Sequence, residues 1–248
     1  MEFSFKNKTV LVTGGARSIG LGIVKMYLKY GAKVITTYNN SFNFAEELVE
    51  YAYRKKYDLK VFKLDLNNID EIYRFLQLLR DENVTKIDIL VNNSGVCYID
   101  PLIFQDDCKI LSMININLTN TLILTKHILK DFMENNSTII NISSIWGNVG
   151  ASCEVIYSVT KGGINLFTKA IAKEMEDRKI KVIAIAPGII NTKINEHLSD
   201  VELKEIIEEI PLKRIGTVED VVNAVDFFSR DCVNITGEII YVDGGWIG

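Results

Sequence analysis

Seven short apolar, β-branched runs punctuate the chain: Thr9–Thr13, Lys33–Thr37, Val61–Leu64, Ile87–Val91, Thr138–Ile142, Val182–Ile185 and Glu238–Val242. Most of the stretches between them repeat their apolar residues every three or four positions, the period of an amphipathic helix. Ile19 to Tyr30 carries Ile19, Ile23, Met26 and Tyr27 on one face, and Gly31 stops it. Further helices are predicted over Phe44–Lys56 and Asp70–Asp81. A long one runs from about Gln105 to Phe132, with Ile110, Ile114, Leu118, Leu122 and Leu129 along it. Others carry Tyr157 and Lys161, span Glu202–Glu209, and span Val218–Phe228. Strands that are nearly uninterrupted apolar runs, separated by helices, belong to a parallel sheet covered on both faces. With right-handed crossovers this predicts an α/β, doubly wound, Rossmann-type sheet of seven strands.

Composition narrows the picture. The chain has 248 residues, 48% of them hydrophobic, enough for one large core, so a single domain over residues 1–248 is expected. Lys and Arg total 28 against 32 Asp and Glu, a net charge of −4, with no basic block, which argues against nucleic acid as a partner. No apolar run reaches membrane-spanning length. Met1-Glu2-Phe3-Ser4-Phe5-Lys6 lacks the order of charges and the cleavage site of a signal peptide. Cys97, Cys108, Cys153 and Cys232 are scattered, and the two histidines, His127 and His197, lie far apart, so no metal site is expected. The cysteines read as reduced and mostly buried, in a cytoplasmic protein.

Candidate chemistry begins with Tyr157-Ser158-Val159-Thr160-Lys161. Residues four apart share a helix face, and an ammonium beside a phenol stabilises the phenolate, making a usable general acid or base. The first strand runs into Thr13-Gly14-Gly15-Ala16-Arg17-Ser18-Ile19-Gly20, a glycine-rich turn that aims backbone amides and a helix N-terminus at a pyrophosphate. The second strand ends in Thr37-Tyr38-Asn39-Asn40-Ser41, without the acid that would hold the ribose 2′-hydroxyl of NAD and repel the 2′-phosphate of NADP. Asn117 is a polar residue within an apolar helical stripe. Ser144 and Ser143 follow the fifth strand, and neither has a histidine placed to make it a nucleophile. A hydroxyl that polarises a carbonyl is the better reading.

This ordered set of motifs resembles the short-chain dehydrogenase/reductases over nearly the whole chain. T-G-x-x-x-G-I-G is similar to the family's cofactor signature through Gly14, Ile19 and Gly20, with Ser18 where the family usually has glycine. If that position needs positive φ, Ser18 costs on the order of 1 kcal/mol. Arg17 matches a position where NADP-using members often carry a base, which implies NADP(H) in preference to NAD(H). Asp65, with Leu66, resembles the acid that meets the adenine amino group. Asn92-Asn93-Ser94-Gly95 resembles N-N-A-G, so that Asn92, Ser94 and Gly95 are expected beside the adenosine. Pro187, Gly188, Ile190 and Thr192 resemble the segment that meets the nicotinamide carboxamide.

The resemblance also assigns the catalytic roles. Asn117, rather than nearby Asn115, is expected to widen its helix and hold a water that leads protons towards Lys161. Ser144 stands at the common spacing of 13 residues before Tyr157, with Ser143 as fallback. Tyr157 is implied as general acid/base. Lys161 is expected to depress the Tyr157 pKa and to reach the nicotinamide ribose. Val96, Cys97, Trp146, Val149, Cys153 and Ile189 are candidate pocket residues, and residues 192–213 resemble a substrate lid. The implied reaction interconverts a carbonyl and a secondary alcohol.

The nearest general resemblance is to 3-oxoacyl-(acyl carrier protein) reductases. Where those dock their carrier with bases, Glu134-Asn135-Asn136-Ser137 and a single Lys173 stand here. An acyl carrier protein and a small ketone, sugar or steroid both stay open as substrate. So does a nucleotide-binding regulator without turnover. Most members pair through the long helix and the Tyr157 helix, so a homodimer or homotetramer is expected.

Overall fold

A computed structural model describes residues 4–192, 199–230 and 234–246 of the chain. The segment expected as a lid therefore lies partly outside the described residues, at 193–198, as do His197 and Cys232. Seven strands form one parallel sheet: β1 Thr9–Val12, β2 Lys33–Tyr38, β3 Leu59–Lys63, β4 Ile89–Asn92, β5 Thr138–Ile142, β6 Lys181–Pro187 and β7 Ile239–Val242. Their order is β3-β2-β1-β4-β5-β6-β7. Val10 pairs with Val34 on one side and Ile89 on the other, which places the reversal of strand order between β1 and β4. Loops leaving the carboxyl ends of those two strands diverge and open a crevice, the usual ligand position in such sheets.

Helices α1 Ser18–Lys29, α2 Phe42–Lys55 and α9 Val218–Ser229 cover one face, with Ile23, Tyr27, Leu48 and Val225 in a core with Val10, Val12, Val91 and Ile183. Helices α3 Ile69–Asp81, α5 Asn120–Asp131 and α7 Val155–Glu174 cover the other. There Phe75, Leu79, Leu124, Ile128 and Ala172 meet Leu11, Leu90 and Val182. Alternate residues of each strand thus enter opposite cores, which is why the runs read as continuously apolar. Among the described residues no helix is long and apolar enough to cross a membrane.

The structure corrects several expectations. The long helix from Gln105 to Phe132 is not continuous: α4 Asp107–Ile114 and α5 are joined by a π-helical turn over Asn115–Thr119. Periodicity alone cannot show this, because one inserted residue barely disturbs the apolar stripe. Chain 102–104 before it forms a 3-10 turn, and Asp106 caps α4 by accepting from the Cys108 and Lys109 amides. The fourth strand starts at Ile89, two residues late. The Asp88 carboxylate there accepts the Thr9 amide at 2.8 Å, pinning the start of β1. A short helix, α6 Trp146–Val149, was not foreseen. Of the cysteines expected to be mostly buried, Cys108 is exposed and Cys97 and Cys153 are half-buried, all three as free thiols.

Candidate active site

The turn after β1 is built by close approach. A Cβ at Gly20 would stand 2.3 Å from the Gly14 carbonyl oxygen, and one at Gly15 would stand 2.1 Å from the Thr36 hydroxyl. Only glycine lets α1 fold back this tightly against β1 and β2. Gly14 has φ +67, and its amide donates to the Thr37 hydroxyl at 3.2 Å. Ser18 also takes a positive φ, 49°. The strain anticipated for a serine at this position is therefore real. Ser18→Gly is expected to raise stability by about 0.5 kcal/mol, the strain relieved less the extra chain entropy of glycine. Thermal unfolding measures the gain, and a loss of cofactor affinity in the same variant would assign the hydroxyl to a phosphate.

The N-terminus of α1 suits an anion. Arg17 occupies the N-cap in extended backbone, no side chain caps the helix, and no acid lies in its first turn. Helices α3, α4 and α9 are all capped by their own side chains. Free amides stand there beside the exposed Arg17 and the half-buried Ser18, a donor set that fits a pyrophosphate and a further phosphate. Tyr38 and Asn39 lie half-buried at the end of β2, with Tyr38 packed on Phe42 at 6.3 Å between centroids. Asp65 is half-buried after β3 and accepts the Asn67 amide at 2.9 Å; the Leu66 carbonyl accepts the Asn120 side chain at 2.7 Å.

Beyond β4 the motif divides its labour. Asn92 is turned into the sheet, where its amide donates to Thr125 at 2.9 Å and to Asn141 at 2.8 Å. Asn141 donates onward to Thr168. This buried chain steadies β4 and β5 against α5 and α7. Asn93, not singled out from the sequence, does what Asn92 does not: its amide donates to the carbonyls of Thr13 and Gly14 at 2.9 and 3.0 Å, and so clamps the glycine turn. Ser94 donates its backbone amide to the Thr13 hydroxyl at 3.1 Å. A Cβ on Gly95 would sit 3.3 Å from the Asn117 side-chain oxygen and 3.7 Å from the Lys161 nitrogen, so this glycine keeps the approach to both open.

Asn117, buried in the π turn, accepts the Val96 amide and donates to the Val96 carbonyl, both at 2.8 Å. It also donates to Thr160 at 3.3 Å. The widened helix coincides with Asn117, as the resemblance implied, and ties α4–α5 to the Tyr157 helix. Ser143 is buried and donates to Asn165 at 2.7 Å; of the two serines it is Ser144 that lies beside Tyr157. Ser144 is buried, accepts the Trp146 amide at 3.2 Å, and lies beside the Tyr157 hydroxyl, near enough to act on its proton. Lys161 is buried one turn further along α7; its ammonium donates to the Ile142 carbonyl at 2.8 Å and stands 5.5 Å from the Tyr157 ring centre.

One expectation about this pair fails. Lys161 does not draw the phenol below its ordinary range; burial pushes Tyr157 well above it, with Cys97 and Glu154 adding to the rise and Ser144 opposing it. Burial also lowers Lys161 itself to about 8, with Cys97 opposing. Removal of water is the largest cause of both shifts. The phenol is accordingly protonated throughout the neutral range.

The remaining edge is formed by the loop after β6. Pro187 ends the strand, and the Gly188 amide donates to the Val242 carbonyl at 3.1 Å; a Cβ on Gly188 would meet Asp243 at 2.9 Å. Ile190 is buried and bridges to Gly216, and Thr192 is half-buried beside it. Trp146 packs edge-on against Trp246 at 5.5 Å, and the Trp246 indole donates to Glu209 at 3.1 Å, at the end of α8 Asp200–Glu209. The serine loop, the C-terminal stretch and the helix of the expected lid are thus linked.

Residues 14–247 match the family model described as enoyl-(acyl carrier protein) reductase. An uncharacterized oxidoreductase, YmfI of Bacillus subtilis, is 33% identical over 97% of this chain and 99% of its own. The 3-oxoacyl-[acyl-carrier-protein] reductase FabG of Chlamydia pneumoniae is 33% identical over 99% of both. Among solved structures, a blue fluorescent protein from a metagenomic library, in complex with NADPH, superposes with a TM-score of 0.91 at 26% identity, covering 99% of this chain and 100% of that one. With the sheet order, the glycine turn and the serine–tyrosine–lysine cluster in place, the chain belongs to the short-chain dehydrogenase/reductase family, as an oxidoreductase that uses a nicotinamide cofactor on a carbonyl or alcohol group.

Proposed function

We propose that the protein reduces a ketone to a secondary alcohol with NADPH, using Tyr157 as general acid. The observation that carries this reading is the Tyr157 hydroxyl, set beside Ser144 and the buried Lys161 and held protonated by its surroundings. When bound, the nicotinamide supplies the hydride to the carbonyl carbon. Ser144 and Tyr157 hydrogen-bond the carbonyl oxygen, and Tyr157 donates its proton as negative charge develops there. Lys161 stabilises the phenolate left behind and orients the ribose. Asn117 orders the water that returns the proton. The reverse reaction begins from the phenolate and is favoured only at high pH.

The turn residues Gly14, Arg17, Ser18, Ile19 and Gly20 hold the phosphates in this reading. Tyr38 and Asn39 face the ribose 2′-phosphate, Asp65 and Leu66 the adenine, and Ser94 and Gly95 the adenosine. Pro187, Gly188, Ile190 and Thr192 meet the carboxamide. NADPH is preferred because no acid ends β2 and Arg17 carries an exposed guanidinium. Arg17→Ala is expected to cut the ratio of kcat/KM for NADPH over NADH by about 10–100-fold, the worth of one charged hydrogen bond. An unchanged ratio assigns the preference elsewhere. The overall test is NADPH oxidation with a panel of ketones, run in both directions. Cofactor binding without turnover across that panel would favour a regulator instead.

A second reading, reduction of a 3-oxoacyl group on acyl carrier protein, is favoured by relatives such as FabG that match along their whole length. Against it, Glu134 stands exposed where a docking base is expected, paired with Lys86 at 3.0 Å. The single domain with a substrate lid over 192–213 belongs to the same proposal. So does a homodimer or tetramer: Val155, Val159 and Leu166 form an exposed apolar stripe on α7, with Leu111 exposed on the adjacent α4. Sedimentation velocity reads that state directly.

A further inference from the structure

Glu154 is an acid at the N-cap of α7, where a carboxylate would ordinarily cap the helix amides. It makes no such cap. Its carboxylate instead accepts the Cys97 thiol, Sγ to Oε2 at 3.0 Å, and lies half-buried one helical turn before Tyr157. The backbone is arranged to hold it there. Cys153, the residue before, has φ 63°, a left-handed conformation that a side chain rarely adopts. Its carbonyl accepts the Asp100 amide at 2.9 Å, which stitches the Cys97–Asp100 loop to the entrance of α7. The Ala151 amide donates to the Ser158 hydroxyl at 3.1 Å, closing the same loop from the other side. Strained backbone of this kind persists where surrounding structure enforces it, commonly at sites that handle ligands.

We propose that Glu154 is a specificity-determining residue of the hydride-transfer site, its carboxylate rejecting substrates that carry an anion beside the reacting carbonyl and favouring neutral or hydrogen-bond-donating ones. This rests on the reductase reading above. The titratable groups facing Tyr157 are Cys97 from the loop after β4, and Glu154 and Lys161 from α7; Ser144 faces it from the loop after β5. Lys161, donating to the Ile142 carbonyl, supplies the positive charge of the site, and Glu154, one turn before Tyr157, supplies the negative one. A thioester, ester or hydroxyketone tolerates that charge. A 3-oxo carboxylate does not, because two like charges within a few ångströms in a site shielded from water repel strongly. Burial and the Glu154 bond both raise the Cys97 thiol, which keeps it a neutral donor rather than a second anion.

The test uses Glu154→Gln, which keeps the shape and an acceptor for Cys97 while removing the charge. The probes are ethyl 3-oxobutanoate and the 3-oxobutanoate anion, each with NADPH. The intact protein is expected to favour the ester, and the variant to narrow the ester-to-anion ratio of kcat/KM by about tenfold or more. The pH profile of alcohol oxidation is expected to move to lower pH in the variant. An unchanged ratio and an unchanged profile overturn the proposal. A readout that needs no turnover is alkylation of Cys97 by iodoacetamide, followed by mass spectrometry. Loss of the carboxylate is expected to speed it about tenfold at fixed pH, because the thiol pKa falls. An unchanged alkylation rate means that the charge does not act on this site, and overturns the proposal whatever the activity. Failure of the intact protein to reduce any ketone, with Cys97 alkylation still accelerated, would sink the reductase reading and leave the placement of the charge standing.

Discussion

Tyr157→Phe is expected to lower kcat for ketone reduction by about 10³–10⁴-fold, the range for removing a positioned general acid, with the NADPH dissociation constant changed by less than about threefold. The substitution deletes one oxygen. The ring still packs beneath the Lys161 ammonium, and Ser144 still accepts the Trp146 amide, so the site keeps its shape. What disappears is the hydroxyl beside Ser144 that holds a transferable proton at neutral pH. Stopped-flow single turnovers separate the hydride step from release, and fluorescence titration gives cofactor affinity. Turnover near that of the parent would exclude Tyr157 as the acid and return the proton to bulk water.

Lys161 carries a second large effect, one that stability reveals before any substrate is known. Burial lowers its folded pKa to about 8, whereas an unfolded lysine titrates near 10.5. Below about 8 both states hold the proton, and the folded state bears the full penalty of a buried ammonium. Above 8 the folded lysine sheds its proton while the unfolded one keeps it, so the penalty is relieved. Stability should therefore rise with pH, by about 1 kcal/mol between pH 7 and 9. Lys161→Met should lack this rise and should lose turnover. Chemical denaturation of both proteins at the two pH values measures the difference. A parent curve that is flat or falling over that window would place the ammonium in contact with water or with an unrecognised acid.

Most of the architecture was legible in the residues. Strand runs such as Val10-Leu11-Val12 and Ile139-Ile140 announce a sheet buried on both faces, and their helical separators announce crossovers. Apart from the divided long helix and the short α6, helix limits lie within a few residues of those expected, since caps and glycines mark them locally. What escaped was whatever depends on contact between distant segments. Asn92 and Asn93 are adjacent and chemically identical. One faces Asn141 inside the sheet and the other faces the Thr13 and Gly14 carbonyls, and only the pleat of β4 decides between them. The π turn at Asn115–Thr119 was equally hidden, since its local stripe continues through it.

The order of motifs along the chain determined the family and the crevice, and it set Tyr157 and Lys161 on one face of a helix by a repeat that no packing can alter. Tertiary structure decided the protonation of that pair. Cys97 and Glu154 come from different segments, and they meet Tyr157 only after the loop beyond β4 closes on the start of α7. A pKa is set by everything within several ångströms in space, whereas a motif reports only neighbours along the chain.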